Sequence, residues 1–186
     1  MSRLVVQNDS MSITTCAIRL ADLAEAEAIA TLSRDTIEAG LPWRWQPNDI
    51  IRFIRSARHN VIVAEEAGPA PALSPAPAAH ASGTADGEIR LMSGFAVMGY
   101  GDNEAYLALL SVKPEWRRKG IARSMAKWLI KCADVAGVKR IDVELRADNH
   151  NAYTLYQTMG FAEIARKPGG YYGTITQVRM RLRLRT

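Results

Sequence analysis

Hydrophobic and polar positions change period several times along the chain, and each change marks an element. Ile141, Val143 and Leu145 alternate with Asp142, Glu144 and Arg146, which predicts a strand with one apolar and one polar face. Ile121, Met125, Trp128, Leu129, Cys132 and Ala136 recur at helical spacing between Gly120 and Gly137, the strongest helix signal in the chain, with a glycine to end it. The same reading gives further strands at "CAIRLA", "NVIVAEEA", "EIRLMSGFAVMGYG", "EAYLALLSV", "FAEIARK" and "TITQVRMRLRLR". A first helix is predicted over residues 21–40, with Asp22 as N-cap and Gly40 as stop. "NDIIRFIRSARH" predicts a second, with Ile50, Ile51 and Ile54 on one side, and "DNHNAYTLYQTMG" a last one, capped at Asp148 or Asn149. Strands and helices alternate, so the fold class is α/β or α+β.

Two stretches break the pattern. The first residues, "MSRLVVQNDSMSITT", lack the apolar run of a secretory signal, and residues 1–12 are expected to form a flexible tail. "GPAPALSPAPAAHASGTADG", residues 68–87, is rich in proline and alanine and is expected to be a disordered loop inside one domain spanning 13–186. Its flanking strands look like hairpin partners, so the insertion costs little closure entropy.

Composition narrows the choice slightly. The 186 residues, 48% of them hydrophobic, suffice for a single core. No apolar run reaches the roughly 18–20 residues a membrane span needs. Cys16 and Cys132 are too few for a disulfide framework and lack metal-ligand spacing, as do His59, His80 and His150, which read as surface residues. Two buried thiols fit a reducing cytoplasm, and no metal is expected. The net charge of +5 admits an anionic partner without choosing one.

One short stretch concentrates that charge. In "EWRRKGIARS" Arg117, Arg118 and Lys119 precede Gly120, between a strand and the strongest helix. A helix start offers unpaired N–H groups and the positive end of its dipole. A glycine there lets an anion approach the backbone closely. The chemistry suits a diphosphate; a solvated turn is the plainer alternative. No GxxxxGK[ST] is present, and "GYGDNE" breaks the dinucleotide GxGxxG pattern at its last position.

"NHNAYTLYQTMGF" follows 29 residues beyond Gly120. Together the two stretches resemble the GNAT superfamily of acyl-CoA-dependent N-acyltransferases. Arg117, Gly120 and Ala122 meet its [QR]-x-x-G-x-[GA] motif; Asn149, Ala152, Leu155, Tyr156, Gly160 and Phe161 meet its later N-x-x-A-x-x-L-Y-x-x-x-G-F motif. "VELRADNHNAYTLYQTMGF" is particularly similar to the ribosomal-protein alanine N-acetyltransferase branch. The resemblance implies a mixed, mostly antiparallel sheet of about seven strands with helices on both faces, splayed between strands four and five.

It also implies acetyl-CoA as cosubstrate. The pantetheine arm is expected along Leu110, Ser111 and Val112, and the diphosphate on the loop carrying Arg117, Arg118, Lys119, Gly120, Ile121 and Ala122. Arg123 and Ser124 extend that turn; relatives often carry Ser or Thr where Arg123 stands. Asn149, Ala152 and Tyr156 complete the cofactor side. Tyr156 occupies the family's general-acid position, against the alternative of a core tyrosine. Glu144 aligns with the branch's base; Glu104 and ordered water are the alternatives. Tyr171 and Tyr172 in "GGYYG" are expected to border the acceptor pocket, and Trp43 and Trp45 either to wall it or to anchor helices.

The expected activity is acetyl transfer to a primary amine, a small molecule or a peptide N-terminus, in a ternary complex. The alternative is a non-catalytic acyl-CoA sensor or interaction module of the same fold. Neither nucleic acid nor membrane is expected as partner, and a homodimer stays open. "VRMRLRLRT" sets Arg179, Arg181, Arg183 and Arg185 on one strand face, which reads first as a polar face over an apolar one.

Overall fold

A computed structural model of the chain describes residues 16–67, 81–83, 89–171 and 173–184. The elements run β1 (Ala17–Leu20), α1 (Ala26–Thr36), α2 (Pro47–Arg55), β2 (His59–Ala67), β3 (Ala81–Gly83), β4 (Ile89–Tyr100), β5 (Glu104–Val112), α3 (Ile121–Val135), β6 (Arg140–Arg146), α4 (His150–Thr158), β7 (Ala162–Tyr171) and β8 (Ile175–Arg183). They form a single mixed sheet in the order β1-β2-β4-β5-β6-β8-β7. β5 and β6 run parallel; the other neighbours are antiparallel. No described helix is long and apolar enough to cross a membrane.

The seven expected strands are all present, and β3 is an eighth. It lies inside the Pro/Ala-rich stretch, where disorder was expected, and pairs Ala81, Ser82 and Gly83 with Leu91, Arg90 and Ile89. The physical reason is an open edge. β5 pairs with β4 no further than Gly94, so the start of β4 has backbone groups to satisfy on that side. The expected tail and the remainder of the Pro/Ala stretch lie outside the described residues.

Helices cover both faces. Met125 and Leu129 of α3 are fully buried against Ile141, Val143, Leu145 and Val178, with Tyr156 of α4 in the same cluster. On the other face Ile29 and Ala30 of α1 and Ile50 of α2 pack on Phe95, Val97 and Leu109. α1 is shorter than predicted. Asp22 and Glu25 form a reciprocal capping box around a single 3₁₀ turn, and the α-helix proper starts only at Ala26. α2 stops at Arg55, and His59 opens β2 instead. There it is half-buried and stacked on Phe53 at 4.7 Å, not the surface residue its sequence context suggested.

Two irregularities of β5 position the site. Val97 pairs with Leu109 but Met98 with Leu107, so Ala108 is a bulge. It inverts the alternation: Ala105 and Leu107 face the α3 cluster before it, while Leu109 faces the α1 cluster and Val112 the α3 cluster after it. The second irregularity is the expected splay. β5 and β6 pair from Glu104↔Arg140 to Leu107↔Val143 and no further. Residues 108–112 and 144–146 diverge around an open gap.

Candidate active site

The loop from β5 to α3 is built around two left-handed residues. Arg118 has φ 67°, a value that costs a non-glycine residue about 1 kcal/mol, and Gly120 has φ 81° as the N-cap of α3. This geometry leaves the N–H groups of residues 118–123 without a protein acceptor among the described residues; the first intrahelical bond is Ser124 N–H to Gly120 O. A Cβ at Gly120 would meet nothing within 4 Å, so the backbone there is open to a ligand. Three of the four cationic side chains are engaged elsewhere, and Arg118 is exposed. Arg117 Nε donates to Val112 O at 3.1 Å, Lys119 Nζ lies 4.2 Å from the centre of the Trp116 ring, and Arg123 donates to Thr158 Oγ1 at 2.7 Å. Ile121 anchors the turn in the core, Ala122 packs partly against it, and Ser124 is exposed. The cradle is therefore a backbone feature at a helix start, suited to a diphosphate.

Behind the cradle, Leu110, Ser111 and Val112 pair with β4 on one side only. Gly94 makes that pairing possible: a Cβ on it would sit 2.6 Å from Ser111 O. Ser111 Oγ is hydrogen-bonded to Thr36 Oγ1 of α1 at 2.6 Å. Across the gap, Asn149 caps α4 by accepting from Ala152 N–H at 3.1 Å. Tyr156, one turn further on, is 5% exposed, with its ring 5.4 Å from Phe161. Burial first, then Tyr171, pushes its phenol well above the ordinary tyrosine range.

Glu144 lies on the opposite face of β6. Its Oε2 accepts from Tyr106 OH at 3.1 Å and from Gln177 Nε2, and its Oε1 lies 3.3 Å from Arg179 Nε. Asp142, on the same face, takes both arms of Arg181 at 2.7 and 2.8 Å, and Arg181 holds its carboxyl below the ordinary range. The arginine stripe of β8 is thus paired with the acids of β6 as far as Arg181; Arg185 lies outside the described residues. Burial raises the Tyr106 phenol, with Glu144 next in effect, and the same two causes in the same order raise Tyr171. Tyr171 is the electrostatic neighbour common to Glu144, Tyr106 and Tyr156. It ends β7, which runs four residues beyond "FAEIARK" and carries most of "GGYYG" into the sheet.

The structure brings Tyr156, Glu144 and Tyr171 to the gap but not Glu104. That carboxylate is exposed on the first rung of the β5–β6 pairing and ion-paired with Arg140. Trp43 and Trp45 pack on the α1/α2 cluster. Buried Glu38 fixes their loop by accepting from Arg44 N–H at 2.7 Å and Trp45 N–H at 3.5 Å. Arg34 and Arg44 cover the two indoles at 5.2 and 5.0 Å. Tyr172 lies outside the described residues. No group of three potential ligands for a metal occurs among the described residues. Sequence reasoning missed Tyr106, Gln177 and Arg179 as neighbours of Glu144. Tyr106 could have been found from the period of two in β5, which sets it on the polar face; the cross-strand partners could not.

Residues 26–161 match the model of the acetyltransferase (GNAT) family. Over 72 residues the chain is 35% identical to [ribosomal protein bS18]-alanine N-acetyltransferase of Escherichia coli K12, covering 39% of this chain and 49% of that protein. The chain thus spans about half the length of the curated relatives it matches. The crystal structure of the ribosomal-protein-S18-alanine N-acetyltransferase from Escherichia coli superposes with TM-score 0.66 at 21% identity, covering 92% of this chain and 96% of that one. Arabidopsis thaliana NAA60 in complex with acetyl-CoA superposes with TM-score 0.71 at 16% identity, covering 91% and 99%. With the family model covering most of its length and the same fold in these structures, the chain belongs to the acetyltransferase (GNAT) family.

Proposed function

We propose that the chain transfers an acetyl group from acetyl-CoA to a primary amine while both are bound. One observation carries the reading: the β5–β6 gap opens between Tyr156 on the α4 face and Glu144 on the other. Donor and acceptor can then meet from opposite sides of the sheet.

When bound, acetyl-CoA supplies an activated acetyl thioester and a thiolate leaving group. The free N–H groups of residues 118–123 suit its diphosphate, and the edge of residues 108–111, which has no strand partner on the gap side, suits the amides of its arm. Tyr156 keeps its proton across the neutral range because burial disfavours the phenolate, so it has one to give the departing thiolate. An alkyl amine with a pKa of about 10 arrives mostly as ammonium; Glu144 is the carboxylate at the gap that can take this surplus proton, and the second N–H proton, lost as the C–N bond forms, makes good the one that Tyr156 gives the thiolate. Burial raises both Cys16 and Cys132 as thiols, which argues against an acetylated cysteine and favours direct transfer. Two free thiols also fit a cytoplasmic setting.

The likeness to proteins named for alanine N-acetylation makes a peptide α-amine the first acceptor to try, ahead of polyamines and amino acids. The test is thiol release from acetyl-CoA across a panel of amines and short peptides. Release that depends on both substrates supports the proposal. Calorimetric binding of acetyl-CoA with no release from any amine sinks it and favours a sensor.

A further inference from the structure

Arg179 stands directly opposite Glu144 in the β6–β8 ladder, yet its contact is the longest of the three that Glu144 makes with Tyr106, Gln177 and Arg179. Its Nε lies 3.3 Å from Glu144 Oε1 and 3.6 Å from Asp142 Oδ2, ion-pair distances, with no hydrogen bond to either carboxylate among the described residues. Its side chain is 45% exposed. The rest of the cluster is satisfied without it. Asp142 already holds the bidentate Arg181, and Glu144 Oε2 is filled by two neutral donors, Tyr106 and Gln177. Those neutral donors orient the carboxylate but leave its charge. Oε1 is the oxygen left for a cation, and the guanidinium beside it is loosely held.

We propose that Arg179 is a displaceable internal counter-ion occupying the seat of the acceptor's ammonium group at Glu144 Oε1. On this account, which rests on the acetyltransfer reading above, the acceptor binds by ion exchange. Its ammonium replaces the guanidinium at Oε1, and Arg179 turns to Asp142, which it already approaches. Glu144 keeps a cationic partner throughout the swap, so it is never left unpaired. It also makes Arg179 a selectivity residue, because a neutral acceptor cannot take its place. The charged and titratable groups around this seat are Asp142 and Glu144 on β6, Arg181 on β8, Tyr106 on β5 and Tyr171 on β7.

The test compares wild type with R179Q and R179K, reading thiol release with the tripeptide Ala-Gly-Gly amide. Removing the competing cation should lower KM for the peptide by about twofold to fivefold, the scale of an exposed ion pair, and leave KM for acetyl-CoA unmoved. R179K, which keeps the charge, should restore the wild-type value. A peptide KM that rises or stays unchanged in R179Q overturns the proposal. A second readout does not need turnover. The ¹⁵N signal of Arg179 Nε in the full chain is followed on adding n-butylammonium chloride, with equal sodium chloride as the control. A shift beyond the salt control that is lost in E144Q supports the exchange; a response identical to salt overturns it. If the peptide gives no turnover in wild type but the Arg179 signal still moves, the acetyltransfer reading fails for that acceptor and the ammonium seat stands.

Discussion

The Tyr106 hydroxyl donates to Glu144 Oε2 at 3.1 Å, from one strand to its neighbour, beside the last rungs before β5 and β6 part. The bond joins the fixed end of the sheet to the carboxylate at the gap. Tyr106→Phe removes one of the two neutral donors on Oε2 and leaves Gln177 alone to orient it. Hydrogen bonds to charged groups contribute about 1.5–3 kcal/mol, so kcat/KM for the amine should fall by roughly tenfold or more. Acetyl-CoA affinity should hold, because the diphosphate cradle lies at the other end of β5. Steady-state kinetics beside calorimetry separates the two; a matching loss of acetyl-CoA binding would mean the tyrosine only supports the fold.

Tyr156→Phe tests the other face of the gap. The side chain is buried and keeps its shape without the hydroxyl, so packing against Phe161 survives. Loss of a general acid typically costs a factor of about 100 or more. Turnover should drop by that order while the dissociation constant for acetyl-CoA stays within about twofold. Because the folded phenol titrates above its ordinary 10.0, the wild-type rate should show no falling limb from this group near that pH. Unchanged turnover in the variant removes Tyr156 from the chemistry.

Much of this was legible in the sequence because it depends on local signals. α3 follows from its apolar spacing and the glycines at its ends, and the α4 cap is narrowed to Asp148 or Asn149, of which the structure uses Asn149. The turn into α3 follows from Gly120 between strand and helix. What was not legible depends on pairing across the sheet. Nothing local says that Ala108 is a bulge, since the extra residue exists only relative to β4. Arg179 reads as one member of a solvated stripe until β8 is docked between β6 and β7. β3 was missed for a related reason: alanine, serine and glycine have weak strand propensity, and an open edge of β4 supplies what the sequence lacks.

Gly120→Glu should abolish acetyl-CoA binding, whereas Lys119→Ala should weaken it about twofold to fivefold. The difference follows from which groups face the ligand. The cradle is made of N–H groups, and the φ of 81° at Gly120 aims them. A side chain there strains the left-handed backbone by about 1 kcal/mol, and a carboxylate brings negative charge into an anion site. Lys119, by contrast, rests on the Trp116 ring and acts on a phosphate only as a nearby charge. Calorimetry with acetyl-CoA, together with Gly120→Ala to isolate the backbone effect, decides the matter. A lysine variant as damaging as the glutamate would return the site to its side chains.

Alkaline stability offers a test that needs no ligand. Burial first, then Glu66, raises the Cys16 thiol from its ordinary 9.0 to about 12. Tyr100 rises from 10.0 to about 12 through burial, then Cys132, against the lowering effect of the hydrogen bond from Asn60. Tyr106 and Tyr156 shift in the same direction. In each case the folded chain holds a proton that the unfolded chain releases at lower pH. Stability from these groups is therefore complete below about pH 9 and is lost as pH climbs towards about 12. The melting temperature at constant salt should stay level to about pH 9 and then fall with increasing steepness. Tyr100→Phe removes one titrating phenol, so its melting curve should start lower, for want of the Asn60 bond, but decline less steeply with pH. A wild-type midpoint that stays level to about pH 11 would mean that these phenols and the thiol are open to solvent, and with them the apolar enclosure that gives Tyr156 its proton.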